Sequence, residues 1–374
     1  MKKVIVVGAG ILGASTAYQL TRLGADVLIV DRQDVGQATA AAAGIICPWL
    51  SQRRNKAWYR LAKAGASFYP SFIQQLEEEY NEKTGYAKVG ALCLHTDIEK
   101  LEVMKKRAVE RRVDAPEIGE LTLLTNVEAK EKFPLLADGF HALHVAGAAR
   151  VDGLQLRDAL LRAAQQNGAE LLTGSATLIH EGQTITGVSV DKQRFEADEV
   201  IVCAGAWSNT ILHPLGINVQ VDYQRAQIMH LQFRGQPNIA EWPVIIPPSD
   251  QYLLTLPDER IVIGATYEND VVDYDTAITV GGMQSILQKG LHIAPDLTEG
   301  CLLEIRVGFR PFTANYLPVF GYVEGWNKLI VANGLGSTGL TVGPYLGYQL
   351  AKLALQQQVD IPLEDYELAL AAKK

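Results

Sequence analysis

The chain is poor in cysteine: Cys47, Cys93, Cys203 and Cys301 are scattered over 374 residues with no C-x-x-C pair. That argues against a zinc ribbon or a disulfide framework and predicts buried, reduced thiols in a cytosolic protein. The seven histidines form no H-x-x-x-H. In "FHALHVAG" a strand would put His141 and His144 on opposite faces, so no metal site is expected, because divalent sites need several convergent ligands. Positive charge is also in deficit. A net charge of −8 argues against nucleic acid as a partner, which would call for a basic surface. No apolar run approaches the roughly 20 residues of a spanning helix. No basic n-region with a small-residue cleavage site is seen, so no signal peptide is expected. What remains is an ordinary globular composition, 48% apolar, long enough for about two domains of roughly 100–200 residues.

Glycine, by contrast, is placed with purpose. In "KKVIVVGAGILGASTAYQLTRLGADVLIVDR", Val4 to Val7 read as a buried strand, with Gly8, Gly10 and Gly13 directly after it. Ile11 to Leu23 follow a helical pattern that stops at Gly24, and Val27 to Val30 form a second strand ending at Asp31. The glycines suit a tight turn, close approach to a pyrophosphate, and close packing of helix on strand. The helix N-terminus then offers free N–H groups and a positive dipole end to the diphosphate. Asp31 lies 18 residues beyond Gly13, near the ~20-residue spacing of a carboxylate on a ribose hydroxyl. The motif indicates a dinucleotide, NAD or FAD, without choosing between them.

Two later segments have related character. "ADEVIVCAGAWSNTIL" reads as a strand, Val200 to Cys203, turning into a helix through Ala204, Gly205, Ala206 and Trp207. "LIVANGLGSTGLTVGPYLGYQLAKLAL" carries a strand at 329–332 into Gly334, Gly336 and Gly339, with Pro344 expected in the first turn of the next helix. Between the first unit and the earlier of these, "VDGLQLRDALLRAAQQNGAELLTGSATLI" predicts a helix with Leu154, Leu160, Leu161 and Ala164 near one face and Gly168 at its end.

Taken in order, these motifs together with "GQATAAAAGI", "YQRAQI", "RIVIGATYE" and "GFRP" resemble the D-amino-acid oxidase family of FAD-dependent oxidoreductases. The likeness is greatest to its glycine oxidase, sarcosine oxidase and D-amino-acid dehydrogenase branch, and it covers essentially the whole chain. It implies an α/β fold, α+β overall: a Rossmann-like, glutathione-reductase-like FAD-binding domain with an inserted, mainly antiparallel sheet that roofs the flavin. The expected FAD-binding domain is discontinuous, 1–85, 146–218 and 305–374, and the substrate domain comprises 86–145 and 219–304. By position, Gly8, Gly10, Ile11, Leu12, Gly13, Asp31 and Arg32 would hold the ADP part of FAD. Thr39, Ala43, Gly44 and Ile45 match positions lining the phosphates and flavin, Ala176 one that meets the adenine, and Ala204, Gly205 and Trp207 the second turn. Gly334, Gly336, Ser337, Thr338, Gly339 and Leu340 match the loop along the flavin ring, and Arg310 lies beside it. A helix N-terminus there would stabilise the negative charge of reduced flavin. Ala40 replaces a serine common in relatives, which removes one hydroxyl contact. No cysteine follows Cys301, so noncovalent FAD is expected.

On the substrate side, Arg310 in "GFRP" matches the family's carboxylate-binding arginine, which guanidinium geometry suits. Tyr252 matches a tyrosine on the same carboxylate, and Tyr267 a pocket-wall position that tunes side-chain size. An internal ion pair with Glu304 is the competing reading for Arg310. Arg306 shares a strand face with Arg310 but belongs to no motif, so it reads as structural and paired with Glu304; Arg225 likewise reads as architectural. The implied reaction is hydride transfer from the Cα of glycine, sarcosine or a D-amino acid to the flavin, with O2 or another acceptor reoxidising it. Two alternatives stay open, a membrane-associated dehydrogenase and a flavoprotein subunit of a larger complex. The first rests on "WLSQRRNKAWYRLAK" (49–63), read as an interfacial helix, against a solvated helix face, which is preferred. The chain leaves room for a homo-oligomer.

Overall fold

The computed structural model describes residues 1–236 and 238–372. The first motif folds as its pattern predicts. Strand Lys3–Val7 leads through Gly8 and Gly10 into helix Ile11–Arg22, and strand Asp26–Asp31 follows in parallel register. These form the centre of a six-stranded sheet in the order Val319–Tyr322, Leu329–Asn333, Glu199–Val202, Lys3–Val7, Asp26–Asp31, Glu170–Thr173. Every pairing is parallel except the Val319–Tyr322 edge. The near-continuous Val/Ile runs are what a parallel sheet covered on both faces requires. The sequence motifs therefore lie side by side in space: the strands that end at Gly8, Asp31, Cys203 and Gly334 are neighbours.

A second, eight-stranded sheet, mostly antiparallel, collects Cys301–Thr313, Val221–Gln232, Arg260–Gly264, Tyr252–Leu256, Val244–Ile246, Ala91–His95, His141–Val145 and Leu121–Leu124 in that order. Its segments come from both expected insert regions, 86–145 and 219–304, and from the strand that follows. Cys301–Thr313 runs unbroken across position 305 and pairs with Val221–Gln232 along nearly its full length. Arg225, in strand Val221–Gln232, ties the sheet to the segment after Arg260–Gly264, donating to Glu268 (2.9 and 2.5 Å) and to Asp275 (3.0 Å). That is the architectural part expected of it.

The terminal helix, Gly339–Ala354, corrects one expectation. Pro344 lies in its second turn rather than its first. Without an N–H, Pro344 cannot donate to the carbonyl of Leu340, one turn earlier. The hydroxyl of Tyr69 donates to that carbonyl instead. Tyr69 belongs to the 25-residue helix Lys56–Tyr80, which crosses the terminal helix so closely that a Cβ on Gly65 would lie 2.2 Å from the Thr341 carbonyl oxygen. Helix Gly153–Gln166 differs in detail as well: Leu156, Ala159, Leu160, Ala163 and Ala164 are buried, while Leu154 and Leu161 sit at the edge of that face. Asp152 caps it, accepting from the N–H groups of Leu154 and Gln155, and Gly168 follows its end at φ +96°.

Segment 49–63 is not one amphipathic helix. Its helix begins only at Lys56, and Trp49 and Trp58 are 1% and 4% exposed. Aromatic rings inserted in a membrane surface would have to be free, and these pack inside the protein. Among the described residues no helix is long and apolar enough to cross a membrane, and no cluster of His, Cys, Asp and Glu could hold a metal ion. All four thiols are free. Cys93 and Cys203 are buried as expected, but Cys47 is half-buried and Cys301 exposed.

Candidate functional site

One cavity is lined by residues of both sheets, along the carboxyl ends of the parallel strands, where ligands of open α/β sheets bind. At one end is the glycine turn. Gly8 has φ +101°, and a Cβ there would lie 2.5 Å from the Cys203 carbonyl oxygen, so only glycine allows the two strand ends to touch. Gly13 does not line the cavity; its Cβ would fall 1.8 Å from the Gly8 carbonyl oxygen, and its task is to seat the helix on the turn. Gly10 caps helix Ile11–Arg22 without a side-chain bond, and no acid occupies its first turn. Thr39 Oγ1 accepts from the Ile11 N–H at 2.9 Å. The result is a positive helix end at the cavity wall, chemically fit for a diphosphate.

Asp31 lines the cavity, only 8% exposed. Its oxygens accept from the N–H groups of Ala9 (2.6 Å) and Gln33 (2.6 Å) and from Gln37 Nε2 (2.9 Å). The carboxylate therefore fixes the glycine turn and the 33–37 loop on the cavity wall. Arg32, Ala43, Gly44, Ile45 and Ala176 also line the cavity, as do Ala204, Gly205 and Trp207. Burial pushes the Cys203 thiol up to about 12, so this cavity-lining sulfur stays protonated and unreactive at neutral pH.

Along the terminal loop, Gly336, Ser337, Gly339 and Leu340 line the cavity, whereas Gly334 and Thr338 do not. Gly334, at φ +77°, turns the chain beside Thr313; Thr338 Oγ1 donates to the Leu335 carbonyl at 2.8 Å. The terminal helix starts here with no side-chain cap, a second positive helix end. Asn333 holds this turn to the preceding one, its Nδ2 donating to the Gly205 carbonyl (2.8 Å) and Ser208 Oγ (2.7 Å) while its Oδ1 accepts from the Gly334 N–H. The sequence reading passed over Asn333, although a lone amide ending an apolar strand just before a glycine loop is a usable signal.

At the other end lie Arg310, Tyr252 and Tyr267, all on the cavity wall. Arg310 sits opposite Gln224 in the sheet and donates from Nη1 to Gln224 Oε1 at 2.7 Å. Its Cζ lies 5.0 Å from the Tyr267 ring centroid. No carboxylate of the described residues pairs with it. Glu304 is taken by Arg306, whose Nε donates to Glu304 Oε1 at 2.9 Å, and the same guanidinium donates to the Ala40 carbonyl at 3.1 Å. Between the two arginines, Gly308 lets the 37–41 loop lie against the strand: a Cβ there would be 2.7 Å from the Ala41 Cβ. Burial pushes the Tyr252 phenol up, against the pull of the Arg310 guanidinium, so it is a hydroxyl donor at neutral pH. Gln224 and Gln37 were missed because their roles depend on register and loop path, which one sequence does not display.

A family model described as FAD dependent oxidoreductase (DAO) matches residues 3–353. An uncharacterised oxidoreductase, YurR, of Bacillus subtilis (strain 168) is 53% identical over 369 residues, 99% of each chain. Glycine oxidase of Pseudomonas putida is 28% identical over 351 residues, 92% of each. Among solved structures, iminodiacetate oxidase (IdaA) from Chelativorans sp. BNC1 superposes with a TM-score of 0.94 at 41% identity, covering 97% of this chain and 98% of that one. Glycine oxidase from Bacillus cereus ATCC 14579, at 23% identity and a TM-score of 0.85, shares the fold. The two helix N-termini and the glycine turn fit the charged and polar parts of FAD, and the chain belongs to the DAO family of FAD-dependent oxidoreductases, enzymes acting on CH–NH groups.

Proposed function

We propose that the protein oxidises the Cα–N bond of a small amino acid, in the class of glycine, sarcosine, a D-amino acid or iminodiacetate. The observation that carries this reading is Arg310: a guanidinium on the cavity wall with a neutral amide and an aromatic ring as partners, and no internal carboxylate. A cation so placed is costly unless an anion meets it. Similarity to glycine oxidases and to an iminodiacetate oxidase supports the same class of substrate.

In this reading the substrate carboxylate takes two N–H bonds from Arg310 and one O–H bond from Tyr252. Gln224 holds the guanidinium in plane, and Tyr267 closes the side-chain end. Gly8, Gly10, Ile11, Leu12, Asp31 and Thr39 would hold the ADP half of FAD, and Gly336, Ser337, Gly339 and Leu340 its ring, without a covalent link. Bound FAD supplies a two-electron acceptor with O2 or another oxidant behind it. The Cα–H departs as hydride while the nitrogen lone pair forms C=N. Water then adds to the imine and the amine leaves, giving a 2-oxo acid, or glyoxylate from glycine. Positioning does most of the work, so no protein base is required.

Arg310→Ala tests this. It should raise KM for amino-acid substrates about 10–100-fold, the worth of a charge-assisted pair, while the protein stays yellow. Near-normal kinetics would sink the assignment.

A further inference from the structure

A second guanidinium stands near Arg310, just beyond the residues that line the cavity. Arg53, in the loop before helix Lys56–Tyr80, has its Cζ 4.6 Å from the Trp58 ring centroid and 5.7 Å from that of Tyr316. Tyr316 in turn stacks on Phe312, at 5.3 Å and 14°, two residues along the strand from Arg310 and on the same face. Arg310 lies over Tyr267. The two cations are thus held by aromatic rings around one rim that is open to solvent, since Tyr267 is 45% and Tyr316 51% exposed. Stacking orients a guanidinium and leaves its N–H edge available to a planar anion.

The charge balance of this rim is unusual. The arginine ion pairs of the described residues engage Arg22, Arg32, Arg60, Arg157, Arg162, Arg225, Arg260 and Arg306, and neither Arg53 nor Arg310. Desolvation, and after it Arg310, pull the Arg53 guanidinium below its ordinary range, and no Asp or Glu acts on it, although the residue keeps an exposed edge. Two neighbouring cations with no carboxylate paired to either repel each other, and a ligand with two negative charges would relieve both.

We propose that Arg53 is a specificity-determining residue that binds a second carboxylate, so that the preferred substrate is an amine carrying two carboxylates. Resting on the amino-acid reading above, this places the carboxylate next to the oxidised carbon on Arg310 and the distal one, on the nitrogen substituent or side chain, on Arg53. The electron balance is unchanged: two electrons and one proton leave as hydride from the carbon beside the first carboxylate. Water then splits the C–N bond, giving glyoxylate and glycine from iminodiacetate.

The test separates binding from turnover. Diglycolate and methoxyacetate copy iminodiacetate and sarcosine with an ether oxygen in place of N–H, and neither is an amine to be oxidised. Titrated into the holoenzyme and followed by perturbation of the bound-flavin spectrum, diglycolate should bind about 10-fold or more tighter, and Arg53→Gln should erase that advantage while Arg53→Lys keeps part of it. In turnover, kcat/KM for iminodiacetate over sarcosine, or for D-aspartate over D-alanine, should exceed about 10 and collapse in Arg53→Gln, mainly through KM. Equal affinity for the two ethers, or a preference that survives Arg53→Gln, overturns the role of Arg53. The amino-acid reading falls separately, if Arg310→Ala leaves the kinetics of every substrate near normal.

Discussion

Tyr69→Phe deletes one oxygen at a place where the terminal helix cannot repair the loss. Tyr69 is fully buried, and its hydroxyl donates to the Leu340 carbonyl that Pro344 leaves without its helical partner. Removing the donor strands a buried carbonyl, which costs about 1–3 kcal/mol. Its aromatic stacking on Tyr86, centroids 5.6 Å apart, survives in phenylalanine, so little packing is lost with it. Pro344→Ala supplies the control, because an alanine N–H reaches the same carbonyl from within the helix. Urea denaturation of the holoprotein, followed by far-UV circular dichroism, should show Tyr69→Phe costing about 1–3 kcal/mol with Pro344 present and under about 1 kcal/mol in the Pro344→Ala background. An equal cost in both backgrounds would refute the exchange of hydroxyl for N–H. Leu340 lines the cavity, so the single variant should also retain flavin less well than the double.

Gly308→Val should weaken FAD retention, since a Cβ there meets Ala41 at 2.7 Å and pushes the 37–41 loop off the strand. An overpacking cost of about 1–3 kcal/mol predicts roughly 10-fold weaker flavin binding, read by titrating apoprotein with FAD; unaltered affinity would refute the close approach. Acid stability has a defined source above pH 4.5. Burial pulls His230 down to about 4, with Arg306 and Arg260 adding to the effect and Glu304 and Asp152 opposing it. The unfolded chain takes this proton near pH 6.5 and the native one does not, so stability falls as pH drops from about 6.5 to about 4, by about 3 kcal/mol in all. His230→Asn should flatten that slope in thermal melts; a slope that persists would mean another group titrates there. Glu304, held low chiefly by its bond to Arg306, keeps its full contribution at and above the ordinary carboxylate range and loses it only as pH falls below that range.

The parts of the site that the sequence made readable are those whose residue type is dictated by backbone geometry. Gly8 and Gly13 leave a signature because any side chain there would collide with a neighbouring carbonyl, and the apolar runs beside them mark a sheet covered on both faces. The Arg306–Glu304 pair was readable for a similar local reason, two residues apart on one strand face. What escaped notice depends on chain segments meeting at long range. Gln224 matters because it stands across from Arg310 after an 86-residue excursion, and Gln37 because its loop folds back onto Asp31. Pro344 was placed one turn too early because a proline near a helix start is ordinarily harmless at N1, and only the position of Tyr69 explains how a later one is tolerated. Arg53 and the buried tryptophans of 49–63 read as a surface pattern until the packing around them is known.

The strand Cys301–Thr313 has a consequence for how this family member can change over time. Arg306 and Arg310 share a face, and Phe309 fills the opposite one against Trp207, Tyr223 and Tyr274. Substitution can retune the rim through Arg53, Tyr267 or Tyr316, each of which sits at an exposed edge. Length is different. Inserting or deleting one residue between Arg306 and Arg310 would put the two guanidinium groups on opposite faces and turn one of them toward the aromatic cluster. Variation in substrate choice is therefore free to accumulate in the rim, while this four-residue spacing is closed to insertions and deletions.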